Sequence, residues 1–472
     1  MDISKVLEKS KDYELITVRQ NPLYERMTAA IEIIKQFIID RGLIIYGGSA
    51  LDYALRLKGD KIYPDEMLAV PDLDMFSSNN VKDSYELADI LYKNGFKDAR
   101  AIYAMHIETQ RVDIAENTFL ADISYKPKGV FDSIPTLSYQ QMKIVHPDFQ
   151  RVDLHSSLAF PYDNSPTEVI FQRWNKDLKR FNLINKYYPI VPSKDVMNLR
   201  PLKVKPPKHV LSGFAAYSLI YFDYARNMVE LGAEIPKDII VPKCVISSED
   251  FIFDTLDQKY EVVHFDPEKA VSKLADNVTY KHYETYGNII PERYEIELSS
   301  DDPNHQSHDK YKFIIYSTKQ RLLSCNTITV GDVSVRVCNI QYLLRNFMAN
   351  ALMSQNKIKN THLAIYASML SMISSFENAL EAKKSISDVS NFLNSPLFLS
   401  IDTYGTENVN LARNVILNRL YNDIEGAPLY KMPWFYYPGK SIPKGLPHPE
   451  FNPEENEFFR QSGREIKKEN SV

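Results

Sequence analysis

The stretch Leu43-Ile44-Ile45-Tyr46-Gly47-Gly48-Ser49-Ala50-Leu51-Asp52, followed downstream by Pro71-Asp72-Leu73-Asp74-Met75-Phe76, decides the reading of this chain. A short apolar run, Leu43–Tyr46, predicts a buried strand. Gly47 and Gly48 allow a tight turn and close approach of the backbone to a ligand. Ser49 is placed to cap the helix that follows, with Asp52 three residues on as a box-like partner. A helix N-terminus offers free N–H groups and a favourable dipole, so a phosphate would lie at residues Gly47, Gly48 and Ser49. Asp72 and Asp74 alternate along a predicted strand and share one face, about 6.6 Å apart along its axis. Paired hard oxygen ligands suit Mg²⁺ together with substrate phosphates. Two such cations can activate an attacking hydroxyl and stabilise a leaving pyrophosphate.

Working outward, Asn21–Asp40 has helical apolar spacing and ends near Gly42. A second helix is predicted over Val81–Asn94, stopping at Gly95, and strands over Ala101–Ile107, Arg111–Ile114 and Phe119–Tyr125. The chemistry asks for a third carboxylate on a neighbouring strand, and two residues compete for the role, Asp122 and Asp113. Asp122 lies in an apolar segment, where an unpaired carboxylate is costly to bury.

The chain has 472 residues, beyond the size at which a single core stops growing, so two or three domains are expected. Its three cysteines, Cys244, Cys325 and Cys338, show no metal-ligand spacing and predict reduced thiols rather than a disulfide framework. The N-terminus lacks an apolar signal core, and the apolar stretch near 210–222 is too short to span a bilayer, so no membrane segment is expected. A net charge of −5 argues against indiscriminate nucleic-acid binding and leaves that role to local patches. One such patch is residues 171–210, with ten Lys/Arg against two Asp. Just before it, Ser165-Pro166-Thr167-Glu168 opens a helix predicted to run into the patch to about Leu183. Ile170, Phe171, Trp174, Leu178 and Phe181 form its apolar stripe, and Arg173, Lys176, Lys179 and Arg180 supply the cations for a phosphate backbone.

These segments together resemble the polymerase-beta-like nucleotidyltransferase superfamily. More narrowly, the chain is similar to the poly(A) polymerase catalytic subunits of large nucleocytoplasmic DNA viruses, of the mimivirus type. The resemblance is carried by Ile45–Leu55, Pro71–Phe76 and Ala121-Asp122-Ile123-Ser124-Tyr125, and continues through Ile144–Asp148, Lys176–Arg180, Asn182–Ile184, Lys186–Pro189, Gly213–Tyr217 and Tyr436–Lys440. It implies Asp72, Asp74 and Asp122 as catalytic metal ligands, and Gly47, Gly48 and Ser49 at the triphosphate. It further implies a template-independent transfer of AMP from ATP to RNA 3′ ends with Mg²⁺ or Mn²⁺, in the host cytoplasm at viral factories or packaged in virions. The 22 residues between Ser49 and Asp72 depart from the compact superfamily pattern and mark Lys58–Val70 as an inserted loop. Two rival readings share the fold: a nucleotidyltransferase of another base specificity, and a catalytically silent RNA-binding or processivity subunit.

The expected fold is α/β (α+β), with a palm-like mixed sheet and helices in residues 1–190. A Pro/Lys-rich connector follows over 191–210, then a second α/β domain over 211–435, and a tail over 436–472 whose end is expected to be disordered. The second domain is read as a degenerate nucleotidyltransferase copy. Met142-Lys143-Ile144-Val145-His146-Pro147 and Val335-Arg336-Val337-Cys338-Asn339-Ile340 both look like a strand entering a helix, the latter after a Gly331-Asp332 hairpin turn. With no Gly-Gly turn and acidic pair, that copy is expected to be inactive and to serve RNA handling or assembly, with a homodimer as a further expectation. Trp434–Tyr437 offers rings for stacking RNA bases or, in preference, for packing onto the body. His106, His146 and His155 are read as structural.

Overall fold

The computed structural model describes residues 23–64, 72–104, 109–114, 119–161, 170–206, 208–273, 279–283, 289–299, 310–318, 322–383, 392, 394–399 and 435–440. They form two compact units, one of residues 23–150 with 435–440 and one of residues 151–399. The division falls within the helix Pro147–Ala159 rather than at 190, so the basic helix Ile170–Tyr187 groups with the second unit.

In the first unit, helix α1 (Tyr24–Arg41) ends on Gly42 in the left-handed conformation, whose N–H caps the Ile38 and Ile39 carbonyls. Strand β1 (Ile44–Ile45) leads into α2 (Gly47–Arg56), then β2 (Leu73–Ser77) and α3 (Asn80–Lys93). Strands β3 (Arg100–Tyr103), β4 (Thr109–Asp113) and β5 (Phe119–Tyr125) form an antiparallel meander. Helix α4 (Lys128–Ser133), the hairpin β6 (Thr136–Tyr139) and β7 (Met142–Val145), and α5 (Pro147–Ala159) follow. Among the described residues the sheet order is β18-β3-β4-β5-β2-β1-β7-β6, where β18 is Phe435–Tyr436. β1 is antiparallel to β2 and parallel to β7, and β2 is parallel to β5. Leu73, Met75, Ala121 and Ile123 are buried and alternate with Asp72, Asp74 and Asp122, so the pleat turns the carboxylates away from that apolar layer.

The second unit holds α6 (Ile170–Tyr187), β8 (Arg200–Val204), β9 (Val210–Leu211), α7 (Gly213–Leu231), β10 (Cys244–Ile246), β11 (Phe251–Thr255), β12 (Lys259–His264) and α8 (Pro267–Ser272). The strands β13 (Tyr280–Tyr283), β14 (Arg293–Ser299) and β15 (Lys310–Ser317), the hairpin β16 (Cys325–Val330) and β17 (Val333–Cys338), and helices α9 (Ile340–Met353) and α10 (Asn356–Glu381) complete it. Its larger sheet runs β13-β14-β15-β12-β9-β17-β16. Element by element this is the first sheet again. β9 is antiparallel to β12 and parallel to β17, β12 is parallel to β15, and β13-β14-β15 is an antiparallel meander. The strand-helix junctions paired in the sequence are β7 into α5 and β17 into α9, equivalent places in the two sheets. A separate sheet, β10-β11-β8, is the addition, and it takes up part of the 191–210 connector.

In α6, Ile170, Trp174, Phe181 and Ile184 are buried, whereas Phe171 is 65% exposed and leaves the predicted apolar stripe. Phe171 precedes Trp174 by three residues and meets it edge-on at 5.7 Å, covering it from outside rather than entering the core. The helix start predicted at Ser165–Glu168, His106 and the C-terminal tail beyond 440 lie outside the described residues. Tyr436 packs onto the first unit: its ring stacks on Tyr85 at 4.0 Å and its hydroxyl donates to Asp89 at 2.9 Å. His155 is buried between Gln341 and Tyr366, which its two ring nitrogens meet at 2.8 Å each, and burial pushes its pKa down to about 3. His146 Nδ1 accepts from the Asp148 N–H at 3.1 Å at the start of α5.

Candidate active site

Gly47 opens α2 at φ +73°, a conformation that disfavours any side chain, and a Cβ there would collide with Asp74 Oδ2. The turn is therefore shaped around the Asp74 carboxylate. Tyr46, the residue before it, donates its N–H to the Asp74 carbonyl at 2.9 Å. Its ring stacks on Phe76 at 3.9 Å and its hydroxyl bonds Ser124 Oγ at 2.9 Å, which ties β1, β2 and β5 together next to the acidic residues.

Helix α2 starts three residues earlier than a Ser49 cap requires, with Tyr46 as the capping position and no side-chain cap. Ser49 is thus inside the first turn and its hydroxyl donates to the Asp72 carbonyl at 3.0 Å, tying the helix start to the acidic segment. Asp52 does not act as a box partner. Fully buried, it accepts from the N–H groups of Ile62 at 2.6 Å and Tyr63 at 2.8 Å and from Arg56 Nε at 2.6 Å, and so anchors the beginning of the inserted loop. The first-turn N–H groups at Gly47, Gly48 and Ser49 have no carbonyl of the preceding turn to meet, which makes this end of α2 suited to an anion.

Strand β2 begins at Leu73, so Asp72 stands one residue before it, exposed, while Asp74 is half-buried and Asp122 is 5% exposed. The parallel register of β2 and β5 sets Asp74 directly beside Asp122. Asp113 is elsewhere: it is fully buried on β4 and held by Arg100, whose Nε and Nη2 reach its carboxylate at 2.9 and 3.1 Å. Asp122 has a partner that the sequence reading did not single out. Arg111, its cross-strand neighbour on β4, grips it with two bonds of 2.6 Å each, Nε to Oδ1 and Nη2 to Oδ2. The Asp122 bonds are the first cause of a raised Arg111 pKa, and the charges of Asp72 and Asp74 add to it, so one guanidinium feels all three carboxylates. Asp72, although exposed as a residue, has its carboxyl pKa raised first by desolvation and then by the Asp122 charge, with Arg111 opposing. A carboxylate that resists ionisation beside another carboxylate is a place where added positive charge is welcome.

Among the described residues no three acidic, histidine or cysteine side chains are already gathered into a metal cage. The donor set nonetheless fits a hard divalent cation. It offers carboxylate oxygens from Asp72, Asp74 and Asp122, and Gly47 leaves room at Asp74 Oδ2 that a Cβ would fill. Arg111 meanwhile supplies the counter-charge, and Asp122 must loosen from it to serve as a ligand.

Of the four cations proposed on α6, Arg173, Lys176 and Lys179 are exposed and Arg180 is half-buried. Arg173 and Arg180 flank the buried Asp177 at 3.9 and 4.0 Å, and Asp177 accepts from Ser157 Oγ at 2.6 Å. The basic face is therefore present as a surface of the second unit.

Comparison with known proteins follows the same segment. Residues 32–164 match the family model of the poly(A) polymerase catalytic subunit. A putative poly(A) polymerase catalytic subunit of African swine fever virus (isolate Pig/Kenya/KEN-50/1950) is 45% identical over 48% of this chain and 47% of its own length, and that of isolate Tick/Malawi/Lil 20-1/1983 is 48% identical over 44% of each. The chain thus spans about half the length of these curated relatives. The putative poly(A) polymerase catalytic subunit of Acanthamoeba polyphaga mimivirus is 23% identical over 66% of this chain and 59% of its own. In fold, the chain is similar to the crystal structure of the Megavirus polyadenylate synthase, with a TM-score of 0.67 over 92% of this chain and 84% of that one at 19% identity. The segment that matches the poly(A) polymerase catalytic subunit model, residues 32–164, is the one that holds Gly47, Asp72, Asp74, Arg111 and Asp122.

Proposed function

We propose that the protein is a template-independent poly(A) polymerase that transfers AMP from ATP to the 3′ end of viral mRNA and releases pyrophosphate. The observation that carries the reading is the in-register pairing of Asp74 with Asp122, with Asp72 ahead of them and the Gly47 turn moulded on Asp74. Asp72, Asp74 and Asp122 would hold Mg²⁺ or Mn²⁺, which when bound supplies Lewis-acid activation of the attacking hydroxyl and neutralises the departing phosphates. The chain's own contribution is positioning. The first-turn amides of α2 at Gly47, Gly48 and Ser49 receive phosphate oxygens, and the Ser49 bond to the Asp72 carbonyl fixes the distance between that phosphate cradle and the carboxylates. Asp122 orients the RNA 3′-hydroxyl and favours its deprotonated form once Arg111 no longer neutralises it. The exposed Arg173, Lys176 and Lys179, with Arg180, hold the RNA backbone. We further propose that it works in the host cytoplasm, at viral factories or packaged in virions, and that a homodimer would give the second unit an assembly role.

The test is extension of a short labelled RNA with each of the four nucleoside triphosphates, with Mg²⁺ or Mn²⁺, for wild type and for Asp72→Asn/Asp74→Asn. Ladders with ATP alone that vanish in the variant are expected. Equal use of another nucleotide would overturn the base specificity, and no extension would overturn the polymerase. Sedimentation of a strict monomer at micromolar concentration would sink the dimer, and imaging of tagged protein away from viral factories in infected cells the localisation.

A further inference from the structure

We propose that the second unit carries a metal-independent site for a nucleoside phosphate, at the place equivalent to the acidic trio of the first. The proposal does not rest on the polymerase reading. The shared topology fixes the correspondence. Ser212 donates its N–H to the Glu261 carbonyl at 2.9 Å, as Tyr46 does to that of Asp74. Gly213, at φ +58°, opens α7 so close to Glu261 that a Cβ would meet its Oε2. Glu261 therefore stands at the place of Asp74, and Lys259, two residues before it, at that of Asp72. In the parallel register of β12 with β15, Ile314 takes the place of Asp122, and across β14 Glu295 takes that of Arg111.

The exchanges remove a metal site and leave a cation site. Ile314 cannot ligate, and Lys259 puts an ammonium where a carboxylate stood. Glu261, buried, has its pKa raised by that burial, and its Oε1 accepts the Tyr316 hydroxyl at 2.8 Å. Lys259 faces Lys312 directly across the ladder, and Arg293 lies on the same face of the sheet. Arg293 donates from Nε to Glu295 at 2.8 Å, so the positive charge that a polymerase site borrows from a divalent cation is here supplied chiefly by Lys259 and Lys312, beside the carboxyls of Glu261 and Glu295.

A cavity of about 150 Å³ lies at this position, and Lys259, Arg293, Lys312, Phe214, Tyr316 and His362 contribute to its lining. That is a volume of the size that admits one aromatic ring. Phe214, Tyr316 and Ile314 give apolar surface for a base, and the exposed Lys312 marks the side on which a phosphate can be met. His362 points to a ligand independently. It is 8% exposed, burial lowers its pKa to about 4 so that the ring is neutral, and its Nδ1 has no hydrogen-bond partner among the described residues. A buried polar atom left unpaired is costly, and a base edge that reaches it on entering the cavity would remove that cost.

The chemistry recognised is a nucleoside phosphate, free or as part of RNA. The test uses the full chain carrying Asp72→Asn/Asp74→Asn, in EDTA, titrated by calorimetry with ATP and separately with a short oligoadenylate. Saturable binding at one site per chain is expected, with the better probe identifying the source. Binding should weaken by about tenfold or more in Lys312→Glu, an exposed position that does not burden folding, and likewise in Lys259→Glu and His362→Phe. Failure of both probes to bind in EDTA overturns the proposal, as does binding that Lys312→Glu leaves unchanged. A dead polymerase with intact EDTA-resistant binding would sink only the reading of the first unit.

Discussion

Gly47 and Gly213 open the same turn in two copies of one topology, each so close to an acidic side chain that a Cβ would collide with it. In the first unit that side chain, Asp74, has acidic neighbours, Asp72 and Asp122, and an arginine across the ladder. In the second, Glu261 has a lysine two residues before it, an isoleucine beside it and a glutamate beyond. The same backbone device brings a helix start against a carboxylate in both units, with different residues around it. The glycine is thus a requirement of the turn, and the charges on the two flanking strands decide what the turn is for.

The comparison breaks most sharply at the carboxylates. Asp74→Asn should lower RNA extension by about 10³-fold with the thermal unfolding midpoint little changed, as read from primer ladders beside calorimetry. Gly47→Ala should cost about 10²-fold in kcat, because the added methyl displaces Asp74 from its working position. Gly213→Ala imposes the same strain where no trio stands. Its expected effect is a loss of about 1–3 kcal/mol in stability by urea titration, with kcat per folded molecule retained. A Gly213→Ala enzyme that folds fully yet extends no RNA would refute the division of labour.

Acid dependence sharpens the contrast further. Asp72 and Glu261 both have folded-state pKa values raised by burial, so each binds its proton more readily folded than unfolded. Their stabilising contribution is present at low pH and lost as pH rises through the folded pKa. Glu261→Gln should therefore raise the urea midpoint at neutral pH and leave it unchanged in acid, and Asp72→Asn should do the same more weakly because Asp72 is exposed. Activity should run the other way, falling as pH drops through the raised Asp72 pKa, above the ordinary value of 3.8. The smallest effect is expected on α6. Reversing Lys176 and Lys179 should leave extension at low salt nearly intact and reduce the salt slope of RNA binding by about 1 for each phosphate that is no longer neutralised.

Much of this was legible in the residues. The apolar run before Gly47, the helix ending on Gly42, the alternation around Asp72 and Asp74 and the Gly331-Asp332 hairpin are local signals, and each corresponds to an element. The roles of Ser49 and Asp52 were not legible. The capping pattern ignores that a glycine at positive φ can start a helix three residues early, and Asp52 is claimed by a loop ten residues away. Arg111 escaped notice because its meaning depends on the β4–β5 register, which no spacing reveals. The second turn was hidden for a similar reason. It has a single glycine, and the strands β10 and β11 separate it from Glu261, so no compact motif remains to be read.

Strand β18 gives the first unit's sheet a history as well as an edge. Tyr436 and its partner Asp89 are 347 residues apart, with the whole second unit between them in the chain. At about 5–20 residues per second, a ribosome needs roughly 15–70 s to deliver the one after the other. Throughout that interval β3 is the outermost strand of the nascent sheet, with its hydrogen-bonding groups turned toward any passing chain. Synthesis thus leaves this edge of the described sheet without β18 until the second unit has been made, and a truncation before residue 435 would fix it in that state.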